Sequence, residues 1–346
     1  MGAGELIEID GAHGEGGGQI VRSALGLAIA TGRGFRVVNV RGGRARGGLL
    51  RQHLTAAQAA RELCDGALVG DQLGSRELSF SPGPARPGAY RFAIGSAGST
   101  LLVVQALLPA LLTTPGTWAI ELEGGTHNPT APSFDFFARA LMPLLRRMGA
   151  RVDATLHRHG FHPAGGGRLT LEVDGRAALG PLAVPERGVI SRRDVIALVA
   201  NLPRAIGERE ATTVCERLGW PAAVGRVDEV RSPGPGNTVS VVVESAHVTE
   251  VFTGHGAKGV PAERVATTVA DEAAAYLEAG VPVGTHLADQ LLVPMALGGG
   301  GTFDTQAPTA HTTTQVDLVR WFLGSEIEAR EVGGGRWRIT VPPRTI

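Results

Sequence analysis

The feature that most constrains this chain is a repeated order of elements. Residues 6–12 (LIEIDGA) alternate apolar and polar as a half-buried strand does, a Gly-rich turn (HGEGGG) follows, and QIVRSALGLAIATG then carries helical spacing. FRVVNVR reads as a second strand, LLRQHLTAAQAARELC as a second helix, and ALVGDQL and ELSFSPG as two closing strands. The order begins again at YRFAIG, with LLVVQALLPALL and PSFDFFARALMPLLRRMG as helices and TWAIELEGG, RVDATLHRHG and GRLTLEV as later strands. A third copy starts at a helix, HLADQLLVPMALGG, and continues through GTFDTQ, TTTQVDLVRWFLG, EIEAREV and RWRITV. Recurrence of this kind predicts an α+β fold built from α/β-type repeats, three βαβαββ units packed together.

Between the second and third copies, about residues 186–281, the pattern changes. IALVANL, the helix-like AIGEREATTVCERLG, the strands TVSVVVES and VTEVFTG, and the helix PAERVATTVADEAAAYLEAG form a set of their own, interrupted by the turn-rich RSPGPGNT. An inserted small α/β domain is the expected form, because insertions are tolerated where chain ends lie close together. Residues 1–185 and 282–346 then make the main domain.

Composition narrows the classes. With 346 residues, 43% hydrophobic and 19% charged, the chain should fold as a soluble globule of one large domain or two. No apolar run reaches the roughly 20 residues of a membrane span. Met1 to Asp10 is short and acidic and lacks the order of a secretory signal, so a cytoplasmic protein is expected. Formal net charge is zero, which argues against coating long nucleic acid but not against gripping a strand end. Aromatic residues are only 5%, too few for extensive base stacking. The 50 glycines have no three-residue period and collect at the ends of apolar runs, where tight turns and close approaches need them. Cys64 and Cys215 have no metal or redox spacing and read as buried, reduced thiols.

Several motifs could carry chemistry. DGAHGEGGGQIVRSA (residues 10–24) is a Gly-rich loop opening a helix, a place that favours phosphate, although it lacks the GK[ST] of a P-loop. Glu15 within it could hold a divalent cation beside phosphates. Gln19 and Arg22 share a helix face toward that loop. VRGGRARGGLLRQH (40–53) gathers Arg41, Arg44, Arg46 and Arg51, with His53 at its end, like a grip on a phosphate terminus. GSAGST (95–100), with Gln105 beyond it, and GGTHNPTAP (124–132) are two more such turns. Packed symmetrically, the three turns would meet at one edge. Asp289 and Gln290 are polar in an apolar helix that Pro294 should bend or shorten. His311 sits just before a helix with Thr312 to Thr314 in its first turn, where a neutral imidazole, a competent nucleophile, is favoured. Each motif alone also fits a plain turn, a solvated face or a capping residue; their number is what points to a site.

Together these residues resemble the RNA 3′-terminal phosphate cyclase family, essentially end to end. The most specific piece is RHGFHPAGGGRL (158–169); GEGGGQ, RGGLLRQH, IGSAGST, GGTHNPTAP and LADQLLVPMAL are also similar to family blocks. The resemblance implies units related to those of enolpyruvyl transferases and an insert of thioredoxin-like form. It implies ATP as cosubstrate, a divalent cation (Mg or Mn), and an RNA 3′-phosphate end converted to a 2′,3′-cyclic phosphate. It also implies the site residues. His311, in the block HTTT, falls at the nucleophile that carries AMP, and Glu15 at a metal-binding carboxylate. Gln105, Asp289 and Gln290 fall at nucleotide contacts, Pro132 against the adenine, and Arg22, Arg41 and Arg44 near the RNA phosphate. His286 stands where relatives carry tyrosine against the other adenine face, and His127 and His162 also depart from the pattern. A catalytically silent relative serving ribosome biogenesis, which would lack the histidine, and an enolpyruvyl-type transferase are the competing readings. The insert is expected to help hold RNA beyond the terminal nucleotides.

Overall fold

Strand β1 (Ile7–Asp10) feeds helix α1 (Gln19–Thr31), which stops where Gly32 takes φ 73° and donates its N–H to Ala28 O. The chain returns through β2 (Phe35–Val38), α2 (Arg51–Cys64), β3 (Ala67–Val69) and β4 (Leu78–Ser81). β1 and β2 run parallel because a helix crosses between them; β4 pairs antiparallel with both β2 and β3, giving the order β1-β2-β4-β3. This computed structural model describes residues 5–344, so part of the acidic N-terminal stretch lies outside the described residues.

The second unit repeats the first. β5 (Ala89–Ala93), α3 (Thr100–Thr113) and β6 (Thr117–Gly124) lead into α4 (Phe134–Phe136), which continues through a π-helical stretch (Phe137–Leu141) into α5 (Met142–Arg147). β7 (Arg151–Arg158) and β8 (Gly167–Asp174) complete a sheet of order β5-β6-β8-β7.

The third unit is divided. Its first strand, β9 (Leu182–Val184), precedes the insert, and α8 (Thr285–Leu297), β14 (Gly301–Thr305), α9 (Ala310–Leu323), β15 (Glu328–Gly333) and β16 (Arg336–Val341) follow it. β9 pairs parallel with β14 in a sheet of order β9-β14-β16-β15, the arrangement of the other two units. The sequence pattern set the insertion between copies; the sheet sets it inside the third. A strand of three residues is too short to show alternation, and its partner lies more than a hundred residues away.

Residues between β9 and α8 form β10 (Ile190–Ala200), α6 (Ala205–Leu218), β11 (Gly225–Glu229), β12 (Gly236–Ser245), β13 (Thr249–His255) and α7 (Ala262–Ala279), with sheet order β11-β10-β12-β13. Val195, Val214, Val241, Val269 and Tyr276 build a separate apolar core there. β11 went unread in the sequence because GRVDE has little apolar character. Cys64 and Cys215 are free and buried, as expected.

The first helices α1, α3 and α8 form the centre of the main body. α3 is buried nearly all round, so its apolar sequence has no polar stripe to expose. A β-carbon on Gly26 of α1 would lie 2.7 Å from Ala106 O and 2.8 Å from Pro109 Cγ, so the two helices meet this closely only because Gly26 has none. Pro294 does not end α8, which runs on to Leu297. No described helix is long and apolar enough to cross a membrane.

Candidate active site at the meeting of three repeats

The N-terminal halves of helices from all three units face one cavity of about 710 Å³, a size that suits a small-molecule ligand. Glu15, Arg22, Arg41, Arg44, Gln105, Pro132, His286, Asp289, Gln290 and His311, the site residues that the family resemblance implied, all line it. Arg22, Gln105 and Gln290 come from α1, α3 and α8. Arg22 Nε donates to Gln105 Oε1 at 3.2 Å, and Gln105 Nε2 donates to Gln290 Oε1. The chain of contacts thus joins the first helix of each unit. Gln105 and Gln290 are each the sixth residue of their helix, and each has a proline four residues on, Pro109 and Pro294. A proline there removes the N–H that would bond the glutamine carbonyl. Gly26 holds the corresponding place after Arg22.

His311 lies inside the first turn of α9, two residues further in than expected, because Thr309 caps the helix: its side chain accepts from Thr312 N, and the Thr312 side chain accepts from Thr309 N. The imidazole is held by Gln19. Gln19 Nε2 donates to His311 O at 3.0 Å and to Gln315 Oε1 at 2.9 Å, so its Oε1 is the acceptor for His311 Nδ1 at 2.7 Å. Nδ1 therefore carries the proton and Nε2 keeps its lone pair. Burial, with Arg22, Arg44 and His286 adding like charge, lowers the His311 pKa against the pull of Asp289. The ring is neutral at neutral pH, with a free nitrogen in the cavity. Asp289 sits beneath this helix start. It accepts from Thr312 Oγ1 at 2.6 Å and from Thr309 Oγ1 at 3.4 Å, and burial raises its pKa.

A group of side chains suited to an anion lines the same cavity. Arg22 makes no ion pair among the described residues; burial, with Arg41 as like charge, pushes it down to about 10, still cationic at neutral pH. Among the described residues Arg41 donates only to the carbonyls of Arg46 and Gly48, at 2.9 and 3.1 Å. Between them stands His53, 2% exposed, whose Nδ1 accepts from Leu50 N at 3.1 Å. That bond leaves the proton on Nε2. Burial first, then Arg22 and Arg41, press its pKa down to about 3. Two unpaired guanidiniums and a neutral N–H donor are a phosphate site by chemistry.

Glu15 is held by its backbone N–H, which donates to Thr314 Oγ1 at 2.9 Å. Both carboxylate oxygens are buried; Oε1 forms an ion pair with Arg44, and Oε2 has no hydrogen-bond donor among the described residues. A buried carboxylate with one oxygen left without a partner fits a divalent cation. Among the described residues no cluster of three His, Cys, Asp or Glu side chains surrounds it, so a cation held by Glu15 would take its other ligands from phosphate and water oxygens. The other end of the cavity is apolar, with Pro132, Phe136, Phe252 and Pro294 in its wall. His286 stands at its side, its Nε2 3.0 Å from Glu272 Oε1 on α7, a contact that raises its pKa.

Two expectations shift, that for the turn at 95–100 and that for Arg46 and Arg51. The turn at 95–100 does not line the cavity; its Ser99 N–H donates to Gln52 Oε1 at 3.0 Å and positions α2 from behind. The segment 158–169 stands behind the site as well: Gly160 packs on Gly124 and Gly167, Gly165 on Ala97, and Gly166 on Pro233 of the insert, approaches that only glycine allows. Arg46 and Arg51 also lie outside. His127 is buried and bonded to Thr126 and Asp135, which makes it structural. Sequence reasoning missed the parts played by Gln19, Gln52 and His53; the recurring glutamine-to-proline spacing was a readable sign of where the helices face.

A sequence profile described as RNA 3′-terminal phosphate cyclase matches residues 13–329. Proteins of that name from Salmonella agona, Ectopseudomonas mendocina and Koribacter versatilis are similar to this chain: 48% identical over 94% of it and 96% of the relative, 48% over 93% and 94%, and 44% over 94% and 92%, respectively. A match of this extent, on a chain whose three units converge on one histidine-bearing cavity, shows that the protein belongs to the RNA 3′-terminal phosphate cyclase family.

Proposed function

We propose that the protein uses ATP to convert the 3′-terminal phosphate of an RNA into a 2′,3′-cyclic phosphate by way of AMP bound to His311. The observation that carries this reading is the clamped imidazole: Gln19 holds Nδ1–H at 2.7 Å and leaves the Nε2 lone pair facing a cavity with two unpaired arginines. In the first step Nε2 attacks the α-phosphorus of ATP, a P–N bond forms, and the bond to the β-phosphate oxygen breaks, with pyrophosphate taking the electron pair. Gln19 stabilises the positive charge the ring then shares. In the second step an oxygen of the RNA 3′-phosphate, held by Arg22, Arg41 and His53 Nε2–H, attacks the same phosphorus and the P–N bond breaks. In the third step the neighbouring 2′-hydroxyl attacks the RNA phosphorus, its proton is lost, and AMP departs. The chemistry asks for alignment and charge neutralisation, which these residues offer. Mg²⁺ or Mn²⁺ on Glu15 would neutralise phosphate charge. Pro132 and His286 would flank the adenine, and Gln105, Gln290 and Asp289 would fix the frame around the nucleotide.

The test is retention of label from α-labelled ATP, with Mg²⁺ or Mn²⁺ and no RNA, beside His311→Ala. Acid-labile label on the denatured parent and none on the variant is expected. ATP binding without label would favour the silent-relative reading, and no ATP binding would favour an enolpyruvyl-type transferase.

A further inference from the structure

The arginine-rich loop divides in two in the structure. Arg41 and Arg44 turn into the cavity, while Arg46 and Arg51 are exposed outside it. A third exposed arginine joins them: Arg76 Nη2 lies 3.7 Å from where a β-carbon of Gly47 would stand. Backbone bonds fix this arrangement, Val40 N to Arg76 O at 2.9 Å, Leu49 N to Ser75 O at 3.0 Å and Gly74 N to Leu49 O at 2.8 Å. None of Arg46, Arg51 and Arg76 makes an ion pair among the described residues. The carboxylates nearby in sequence face other partners, Asp71 with Arg61 and Glu77 with Arg36. Among these cations two large apolar side chains are open to solvent, Leu50 at 43% and Leu73 at 59% exposure, and Leu50 also borders the cavity.

We infer that this surface is the track for the single-stranded RNA immediately 5′ of the terminal phosphate. The inference rests on the cyclase reading for the position of that phosphate. Its chemistry is that of a flexible polyanion with flat bases: three free guanidiniums for successive phosphates and an apolar ledge between them for bases. Its continuity with the cavity mouth through Leu50 and Arg51 sets where the strand leaves. In the insert Arg192, Arg204, Arg209, Arg217 and Arg226 are each paired with a carboxylate. The exposed Arg193, Arg231, Lys258 and Arg264 make no ion pair among the described residues, but none of them lines the cavity mouth as Leu50 of the first-unit surface does. The first unit is therefore the surface assigned to the upstream strand.

The experiment compares affinities of a 3′-phosphorylated dinucleotide and a 3′-phosphorylated single-stranded octanucleotide, over a salt series, for the full chain and for Arg46→Ala/Arg51→Ala/Arg76→Ala. The parent should bind the octanucleotide about tenfold or more tighter. The triple variant should lose that advantage, and its log–log salt slope for the octanucleotide should be shallower by about 2, the loss of three single-strand phosphate contacts. Dinucleotide affinity and RNA-independent labelling by ATP should stay at parental values, which also verifies folding. A variant that keeps the length advantage overturns the track. Equal loss of both oligonucleotides overturns it as well, by making these arginines part of the terminal grip or of the fold. A parent that takes label from ATP yet binds neither oligonucleotide removes the RNA reading beneath it.

Discussion

The second helices of the first and third units both open on the cavity with a histidine in the first turn, yet the two rings are set for opposite chemistry. In α9 the cap is Thr309, whose hydroxyl satisfies Thr312 N, and His311 is left to be held by Gln19 through Nδ1–H. In α2 the cap position is Leu50, which has no side-chain acceptor, and His53 turns its Nδ1 back to take the Leu50 N–H. One imidazole presents a lone pair at Nε2, the other an N–H. The position in the first turn decides it: His53 is the third helical residue and takes the cap N–H, the place that Thr312 fills in α9, whereas His311 is the second and its ring is free to be held by Gln19.

The comparison can be broken in order of effect. His311→Ala should abolish label transfer from ATP, whereas His53→Ala should leave it within about threefold and instead slow cyclisation of 3′-phosphorylated RNA about a hundredfold, as expected for one hydrogen bond to a charged group. Equal losses of labelling in both variants would show that the two rings are not distinct. Gln19→Leu, which removes only the orienting partner, should lower labelling about tenfold to a hundredfold with ATP affinity unchanged. Because burial holds the His311 pKa below its ordinary 6.5, the labelling rate should persist as pH falls to that value and decline only beneath it. A decline starting well above it would mean that the ring is not kept neutral.

The smallest effect concerns stability. His53 is held at about 3, and His159 and His255 at about 4, by burial first. Their folded pKa values are lower than the unfolded 6.5, so the unfolded chain takes up protons that the native state refuses. Stability is therefore intact above that pH and falls as acid is added. The slope should be shallower in His53→Gln by about one proton, or about 1.4 kcal/mol per pH unit, measured by denaturant unfolding across the window.

Much of this protein could be read locally. The period of two in strands and of 3.6 in helices needs only neighbouring residues, so the repeated order was visible, as were the loops that carry Glu15 and Arg41 and the helix starts that carry Arg22 and His311. β9 escaped because three residues carry no period, and β11 because its sequence is polar. The segment 158–169 was the most recognisable piece and proved to lie behind the cavity, since glycines that let loops pack closely are as characteristic as those that touch ligands.

What the sequence determined by itself was the set of units, their order, and the residue types available to the site. The tertiary structure alone decided protonation, pairing and access. Gln19 and His311 are 292 residues apart, and Arg22 meets Gln105 across 83. Hydrogen-bond partners fix a tautomer, burial fixes a pKa, and the distance to a carboxylate decides whether an arginine is free to take a phosphate. All three depend on which distant elements pack together, and no local pattern encodes that.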